Sequence, residues 1–110
     1  MNQVGNTNNS RERFTSIAQE LAARHESVEQ GQMFGMPCIK VNRKAFAGLF
    51  QDDMVFKLQG DAHTMALGLH GSHLFDPMGG RPMKEWVQVP SAHAQEWIDL
   101  AEKALEYVGK

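Results

Sequence analysis

The sequence predicts a two-layer α+β domain, in which an antiparallel sheet is covered by helices from the two ends of the chain. Three observations favour this fold class. A chain of 110 residues fits one domain with one core. Its first and last segments have helical periodicity with one apolar face. Between them lie short β-like segments joined by tight links, which is typical of an antiparallel meander.

The first element is an amphipathic helix predicted over residues 10–25. Its apolar positions recur at the spacing of one helix face and are Phe14, Ile17, Ala18, Leu21 and Ala22. Asn9 or Ser10 is the expected N-cap, because a short polar side chain accepts a bond from the first free N–H groups. Residues 1–9 are rich in Asn and weakly hydrophobic, so we expect a flexible arm before a single domain over residues 10–110.

Four short strands are predicted next. One ends near Phe34 before Gly35, and the others cover about 38–41, 45–50 and 54–58. Ile39 and Val41 alternate with Lys40, which indicates one polar face. Residues 45–50 are apolar throughout, which predicts a strand covered on both faces and a second sheet face that is partly apolar.

The second half of the chain predicts a short helix from Asp61, a structured loop over 72–82 and a last strand over 85–89. Ser91 is the expected cap of the final helix. The apolar stripe of that helix is the longest in the chain: Ala94, Trp97, Ile98, Ala101, Ala104, Leu105 and Val108. The predicted order is α-β-β-β-β-α-β-α, with four to five strands in the sheet.

Composition limits the classes of function. The formal net charge is −2, which argues against a protein that depends on a broad phosphate-backbone contact. One cysteine excludes a disulfide framework and an all-cysteine zinc site. No run of about 18 apolar residues is present, and the first residues lack the basic and apolar blocks of a signal peptide. We therefore expect a soluble, cytoplasmic protein without membrane contact.

Catalytic and metal-binding groups are sparse. His63, His70 and His73 could supply three nitrogens to zinc, but Gly71 makes their spacing loose and no acidic residue flanks them. Cys38 could form a thiolate pair with a distant histidine, although a small apolar role in a sheet is favoured. We predict no catalytic, cofactor or metal site. A small metal or thiol enzyme stays as an alternative.

Two segments could bind a macromolecule. The loop carrying Phe75, Met78, Arg81 and Met83 could form an adaptable protein-binding patch, because thioethers repack against varied partners. Alternatively, this loop folds back and caps the sheet, with Asp76 paired to Arg81.

A basic hairpin carrying Lys40, Arg43 and Lys44 is the alternative, as a nucleic-acid-binding module. Uncovered strand edges or the second sheet face would also allow a homodimer.

Several segments in order resemble the N-terminal domain of the TfoX/Sxy family. They are Met33-Phe34-Gly35, Phe46 to Phe50, Lys57-Leu58, Phe75 to Met83, Trp86-Val87 and Val89-Pro90. The resemblance covers residues 10–110 and implies an antiparallel sheet flanked by helices. It also implies a regulator of natural competence that acts through protein contacts, without recognised catalytic residues. The family typically carries a further C-terminal domain. The sequence ends at Lys110 without one, so we expect a standalone member. The function predicted is a non-catalytic regulatory or adaptor-like domain.

Overall fold

The computed structural model describes residues 6–110 and contains three helices and six strands. A 3-10 turn, Ser91–His93, precedes the last helix. The elements in chain order are α1 Asn6–Arg24, β1 Val28–Met33, β2 Met36–Val41, β3 Lys44–Phe50, β4 Asp53–Lys57, α2 Gly60–Gly68, β5 His73–Phe75, β6 Met83–Val89 and α3 Ala94–Val108.

The strands form one antiparallel sheet in the order β1-β2-β3-β4-β6-β5. The predicted α+β class is confirmed. The sheet has one strand more than the four to five predicted, because His73–Phe75 pairs with β6 inside the segment expected to be a loop. Three residues are too few for an alternating pattern, so the sequence carries no signal for this strand.

The helices cover one face of the sheet and share the main core with it. α3 packs on β3 and β4, α1 packs on β1 and α3, and α2 packs on β6. α3 is the centre of this core: Trp97, Ala101 and Ala104 of the predicted apolar stripe are fully buried. Leu100, which the predicted stripe did not include, is fully buried as well. Burial of each large side chain contributes roughly 1.5–3 kcal/mol by transfer values.

Several predicted helix ends are wrong. α1 begins at Asn6, so the arm expected over residues 1–9 is helical from that residue, and residues 1–5 lie outside the described chain. Ser10 is no cap: it is buried, and its hydroxyl donates to the Asp52 carbonyl oxygen at 2.9 Å. Ser91 does not cap α3, which begins at Ala94 without a side-chain cap bond. Ala22 is exposed, since Phe14, Ile17, Ala18 and Leu21 already fill the buried face.

Two hairpins have two-residue turns in which both residues have positive φ. Phe34 and Gly35 have φ of 51° and 75°, and Asn42 and Arg43 have φ of 51° and 70°. Positive φ at both positions is the mark of a type I′ turn, whose twist matches that of the strands it joins. These turns fix the register from β1 to β3.

Strand β3 is buried on both faces, as its apolar sequence predicts. Phe46, Ala47 and Leu49 belong to the helix-side core. Gly48 faces the other side, where the side chain of Met36 lies over it: a Cβ added to Gly48 would lie 2.6 Å from Met36 Cε and 3.2 Å from the Pro37 carbonyl oxygen. The missing side chain of Gly48 therefore provides the space that Met36 fills.

We expect Gly48→Ala to lower the free energy of unfolding by about 1–2 kcal/mol, because the added methyl group overpacks this site. Gly68→Ala is the matched control, since nothing lies within 4 Å of its added Cβ. In helix α2 that change should be neutral or should stabilise by up to about 1 kcal/mol. Urea unfolding of both variants measures the difference, and equal midpoints would contradict the close packing at Gly48.

Candidate interaction surface

The sheet face opposite the helices carries a second apolar cluster, here called the second-face cluster. Its buried members are Met36, Val55, Phe75 and Trp86, and its half-buried members are Met33, Ala45, Phe50 and Met83. Among the residues described, the helices contribute only to the other core. The second face is therefore covered by the side chains of its own strands, including Phe75 at the end of β5 and Met83 at the start of β6.

Phe75 provides much of this cover. Its ring meets the ring of Phe50 edge to face, with centroids 5.1 Å apart and planes at 69°. Strands β4 and β6 lie between the strands that carry these two rings, which places β3 and β5 roughly 14 Å apart at ordinary strand spacing. The pairing of β5 with β6 is irregular after Leu74, and Phe75 aligns with Met83. Phe75, the last residue of β5, thus covers the second face of the sheet as far as β3.

Among the predicted protein-binding residues, Phe75 is wrong. It is fully buried in the second-face cluster, so it anchors the loop and presents no surface. Met78 is 81% exposed and Arg81 is also exposed, while Met83 is half-buried against the cluster. The structure therefore places Met78 and Arg81 at the surface, with Met83 beneath them in the sheet. We call these three residues the loop surface.

Backbone bonds to one carboxylate fix the loop between Phe75 and Met83. Asp76 accepts bonds from the N–H groups of Gly80 at 2.8 Å and Arg81 at 3.2 Å. The Gly80 bond, which is the largest contribution, holds the pKa of the Asp76 carboxyl below its usual range. The bonds should hold above the ordinary carboxyl pKa and weaken as the pH falls through the lowered value. Asp76 thus binds the amide of Arg81 instead of the predicted guanidinium.

The basic hairpin presents fewer cations than the sequence predicts. Arg43 and Lys44 are exposed at the turn between β2 and β3. Lys40 is half-buried, and its stem lies across the neighbouring strand: a Cβ added to Gly31 would lie 2.9 Å from Lys40 Cε. The hairpin turn alone is therefore a narrow, weak site for a phosphate backbone.

An open groove whose lining includes four acidic side chains lies along α3. It has a volume of about 670 Å³, and its lining includes Glu96, Asp99, Glu102 and Glu106 together with Lys103 and the half-exposed Met65. Arg24 pairs with Glu102 beside it. This negative potential on the helix layer opposes the approach of a polyanion from that side.

Cys38 lies on β2 with a glycine on each neighbouring strand, Gly31 on β1 and Gly48 on β3. The thiol is fully buried, and this burial raises the pKa of Cys38; nearby Lys40 and a bond from the backbone of Gly31 oppose the shift without cancelling it. A neutral buried thiol behaves as a small apolar side chain.

The histidines bond to separate backbone carbonyl groups. His63 Nε2–H donates to the Lys84 oxygen at 2.8 Å, and His73 Nδ1–H donates to the Leu74 oxygen at 2.9 Å. The carbonyl of His70 accepts a bond from His93 Nε2–H at 2.8 Å. Within residues 6–110, no group of three or more His, Cys, Asp or Glu side chains is arranged to hold a metal ion. The imidazoles of His63 and His93 thus connect separate segments of the chain, whereas that of His73 bonds within its own strand.

No family model matches this chain, and neither a curated protein nor a solved structure matches it. Within the described part of the chain, no helix combines the length and apolar character needed to cross a membrane.

We expect Phe75→Ala to lower the free energy of unfolding by about 3–5 kcal/mol, because it removes a fully buried ring from the second-face cluster. Met78→Ala should change it by no more than about 0.5 kcal/mol, since that side chain is exposed. Urea unfolding of the two variants provides the comparison. A small effect of Phe75→Ala would show that the loop does not cap the sheet.

Burial and the raised pKa of Cys38 predict slow reaction with an aromatic disulfide reagent. At neutral pH we expect the native protein to react roughly tenfold or more slowly than the same protein in urea. The native rate should rise with pH, because the thiolate forms only as the pH approaches the raised pKa. A fast, stoichiometric reaction of the native protein would instead identify an accessible, activated thiol.

Proposed function

We propose that this chain is a non-catalytic, regulatory or adaptor-like domain that binds another protein through the loop surface, Met78, Arg81 and Met83. The observation that carries the proposal is the 81% exposure of Met78 on a loop fixed at both ends. Phe75 anchors one end in the sheet, and Asp76 holds the backbone of Gly80 and Arg81. Since the loop is already ordered, a partner would lose less binding free energy in arranging it.

The chemistry of the loop surface indicates the kind of partner. Met78 offers a flexible thioether that adapts to an apolar side chain, and Met83 continues this apolar surface into the sheet. Arg81 offers a guanidinium that suits a carboxylate in two parallel hydrogen bonds. A protein segment with an apolar residue beside an acidic one fits both.

The resemblance to the TfoX/Sxy N-terminal domain supports a role through protein contacts. That resemblance suggests a cytoplasmic regulator, and a part in natural competence is the specific form of the proposal. The buried Cys38 thiol and the backbone bonds made by His63 and His73 also favour a non-catalytic role, because each group is engaged in the fold.

The basic hairpin supports nucleic acid as the rival partner. Arg43 and Lys44 are exposed together at a rigid type I′ turn, which could lie along a phosphate backbone. Two such cations would give weak binding with a small salt dependence. We favour the protein partner, because the acidic groove on α3 opposes a larger contact with a polyanion.

Met78→Ser should abolish capture of a specific protein from a lysate of the native host, because it removes the apolar centre of the loop surface. Met65→Ser is the matched control: the same change at a methionine that is 50% exposed on helix α2. We expect the wild type and Met65→Ser to retain one shared protein and Met78→Ser to lose it. Titration of the purified captured protein with the three chains then measures the affinity, which we expect Met78→Ser to lower about tenfold or more.

Equal capture by Met78→Ser and Met65→Ser would refute the loop surface as the binding site. A parallel titration of duplex DNA at two salt concentrations tests the rival. Tight DNA binding that falls with salt and is lost on changing Arg43 and Lys44 to Gln would replace the protein partner with nucleic acid.

A further inference from the structure

Strand β1 is one edge of the sheet, and the turn that follows it determines which of its backbone groups are bonded. Residues of an antiparallel pair alternate between hydrogen-bonded and non-bonded partners. The two-residue turn makes Met33 and Met36 a bonded pair. Gln32 then faces Pro37 as a non-bonded pair, as the missing N–H of proline requires. The residues of β1 whose N–H and C=O groups point towards β2 are Glu29, Gly31 and Met33.

The backbone groups of the alternate residues point away from the sheet. Gln30 and Gln32 therefore present N–H and C=O groups on the outer side of β1, where no other strand of the described chain lies. Val28 adds only its C=O group there, because its N–H already donates to the His25 carbonyl oxygen at 3.1 Å. The side chains of Gln30 and Gln32 are exposed as well. This edge is a template for pairing with a further strand.

The two edges of the sheet differ in how well they are protected against pairing with a further strand. β5 has three residues, pairs irregularly and is followed by Pro77, which are devices that discourage edge pairing. β1 has six residues that pair with β2 without a bulge, and it contains no proline or lysine and one charged residue, Glu29. Of the two edges, β1 alone is regular and unprotected. This difference points to a further strand that pairs with β1.

We propose that a second copy of this chain adds its own β1 to this edge, antiparallel, with the two-fold axis at Gly31. Two six-stranded sheets then form one continuous sheet. This contact uses the edge of the sheet farthest from β5, so it is independent of the proposed binding through the loop surface.

The sequence of β1 complements itself in this register. Gly31 faces Gly31 of the second copy, and each Gln30 faces a Gln32, so that the outward backbone groups of both residues bond across the axis. Glu29 faces Met33 of the second copy, which keeps the two Glu29 carboxylates apart. The exposed ring of Phe34, 62% accessible, lies in the turn after β1, next to the start of β1 of the second copy. No like charges are directly opposed.

Glycine suits the position on the axis. Gly31 would form a non-bonded pair with its counterpart, and such pairs bring Cα atoms to about 4.5 Å. The Lys40 stem occupies the face of Gly31, since an added Cβ would lie 2.9 Å from Lys40 Cε and 3.3 Å from Nζ. Glu29 lies opposite Lys40 in the β1–β2 pair. Near the axis, the two copies therefore contribute two ammonium groups and two carboxylates, whose charges balance.

Helix α1 leaves room beside this edge. Arg24 pairs with Glu20 and with Glu102 of α3, so one flank of α1 faces α3. Ala22, two residues before Arg24, lies on the opposite flank at 100° per residue, together with Thr15. Ala22 is exposed and Thr15 is half-buried. Thr15 and Ala22 therefore leave space on this flank for the α1 helix of a second copy, and the charged Arg11 lies on the same flank nearer the start of α1.

A charge-swap pair tests both the dimer and its register. Gln30→Lys with Gln32→Lys places two lysines opposite each other at both symmetric positions and should weaken the dimer about tenfold or more. Gln30→Lys with Gln32→Glu places lysine opposite glutamate at the same positions and should preserve or strengthen it. Both sites are exposed, so both monomers should keep the fold, which circular dichroism checks. Sedimentation velocity over a concentration series measures the dissociation constants.

Amide hydrogen exchange provides a second measurement on the wild type. The N–H groups of Gln30 and Gln32 should gain protection as the protein concentration rises, while that of Gly31 should not change, because it already bonds to β2. Met78→Ser should dimerise like the wild type, which separates this proposal from the proposed function. A wild type that stays monomeric throughout, or a dimer that the two charge variants affect equally, would overturn the proposal.

Discussion

A sheet has two faces, and the helices of this chain cover one of them. Strand β3 has apolar residues on both faces, so a sheet with helices on one side would leave Phe50 and its neighbours in water. The chain resolves this at the end of β5, where the ring of Phe75 meets that of Phe50 in the cluster that also buries Val55. The irregular β5–β6 pairing, the position of the loop and the exposure of Met78 all depend on this contact.

Burial on the second face distinguishes the residues that stabilise this part of the fold from those proposed to bind a partner. Phe75 is apolar because the second face needs cover, and its full burial stabilises the fold. Met83 is half-buried against the same cluster, so it stabilises the fold and still leaves part of its surface for the proposed contact. Met78 contributes no comparable stabilisation to the fold, since most of its surface stays in water. Asp76 fixes the backbone through Gly80 and Arg81, so Met78 is held in place without being buried. An ordered, exposed apolar side chain can contact a partner without any loss of packing in the core.

Local periodicity in the sequence predicts the α+β class, α3, most of α1 and strands β2 to β4, because each of these repeats its pattern over several residues. It misses β5, which is too short to show a pattern, and the start of α1 at Asn6, where apolar residues are scarce. The roles of Ser10 and Phe75 depend on Asp52 and Phe50, each more than twenty residues away along the chain. No local pattern encodes such contacts, so the sequence could not show that Phe75, one of the predicted binding residues, is buried.

The two proposed contacts lie at opposite edges of the sheet, which has a consequence for affinity. Joining two copies at β1 leaves both loop surfaces beside the far strands β5, about eleven strand spacings or roughly 50 Å apart. A partner with one acidic, apolar segment would gain nothing from this arrangement. A partner that repeats the segment at a matching distance would bind both surfaces, and the second contact would form at a high effective concentration. Weak binding at each loop surface is therefore compatible with tight and selective binding by the dimer.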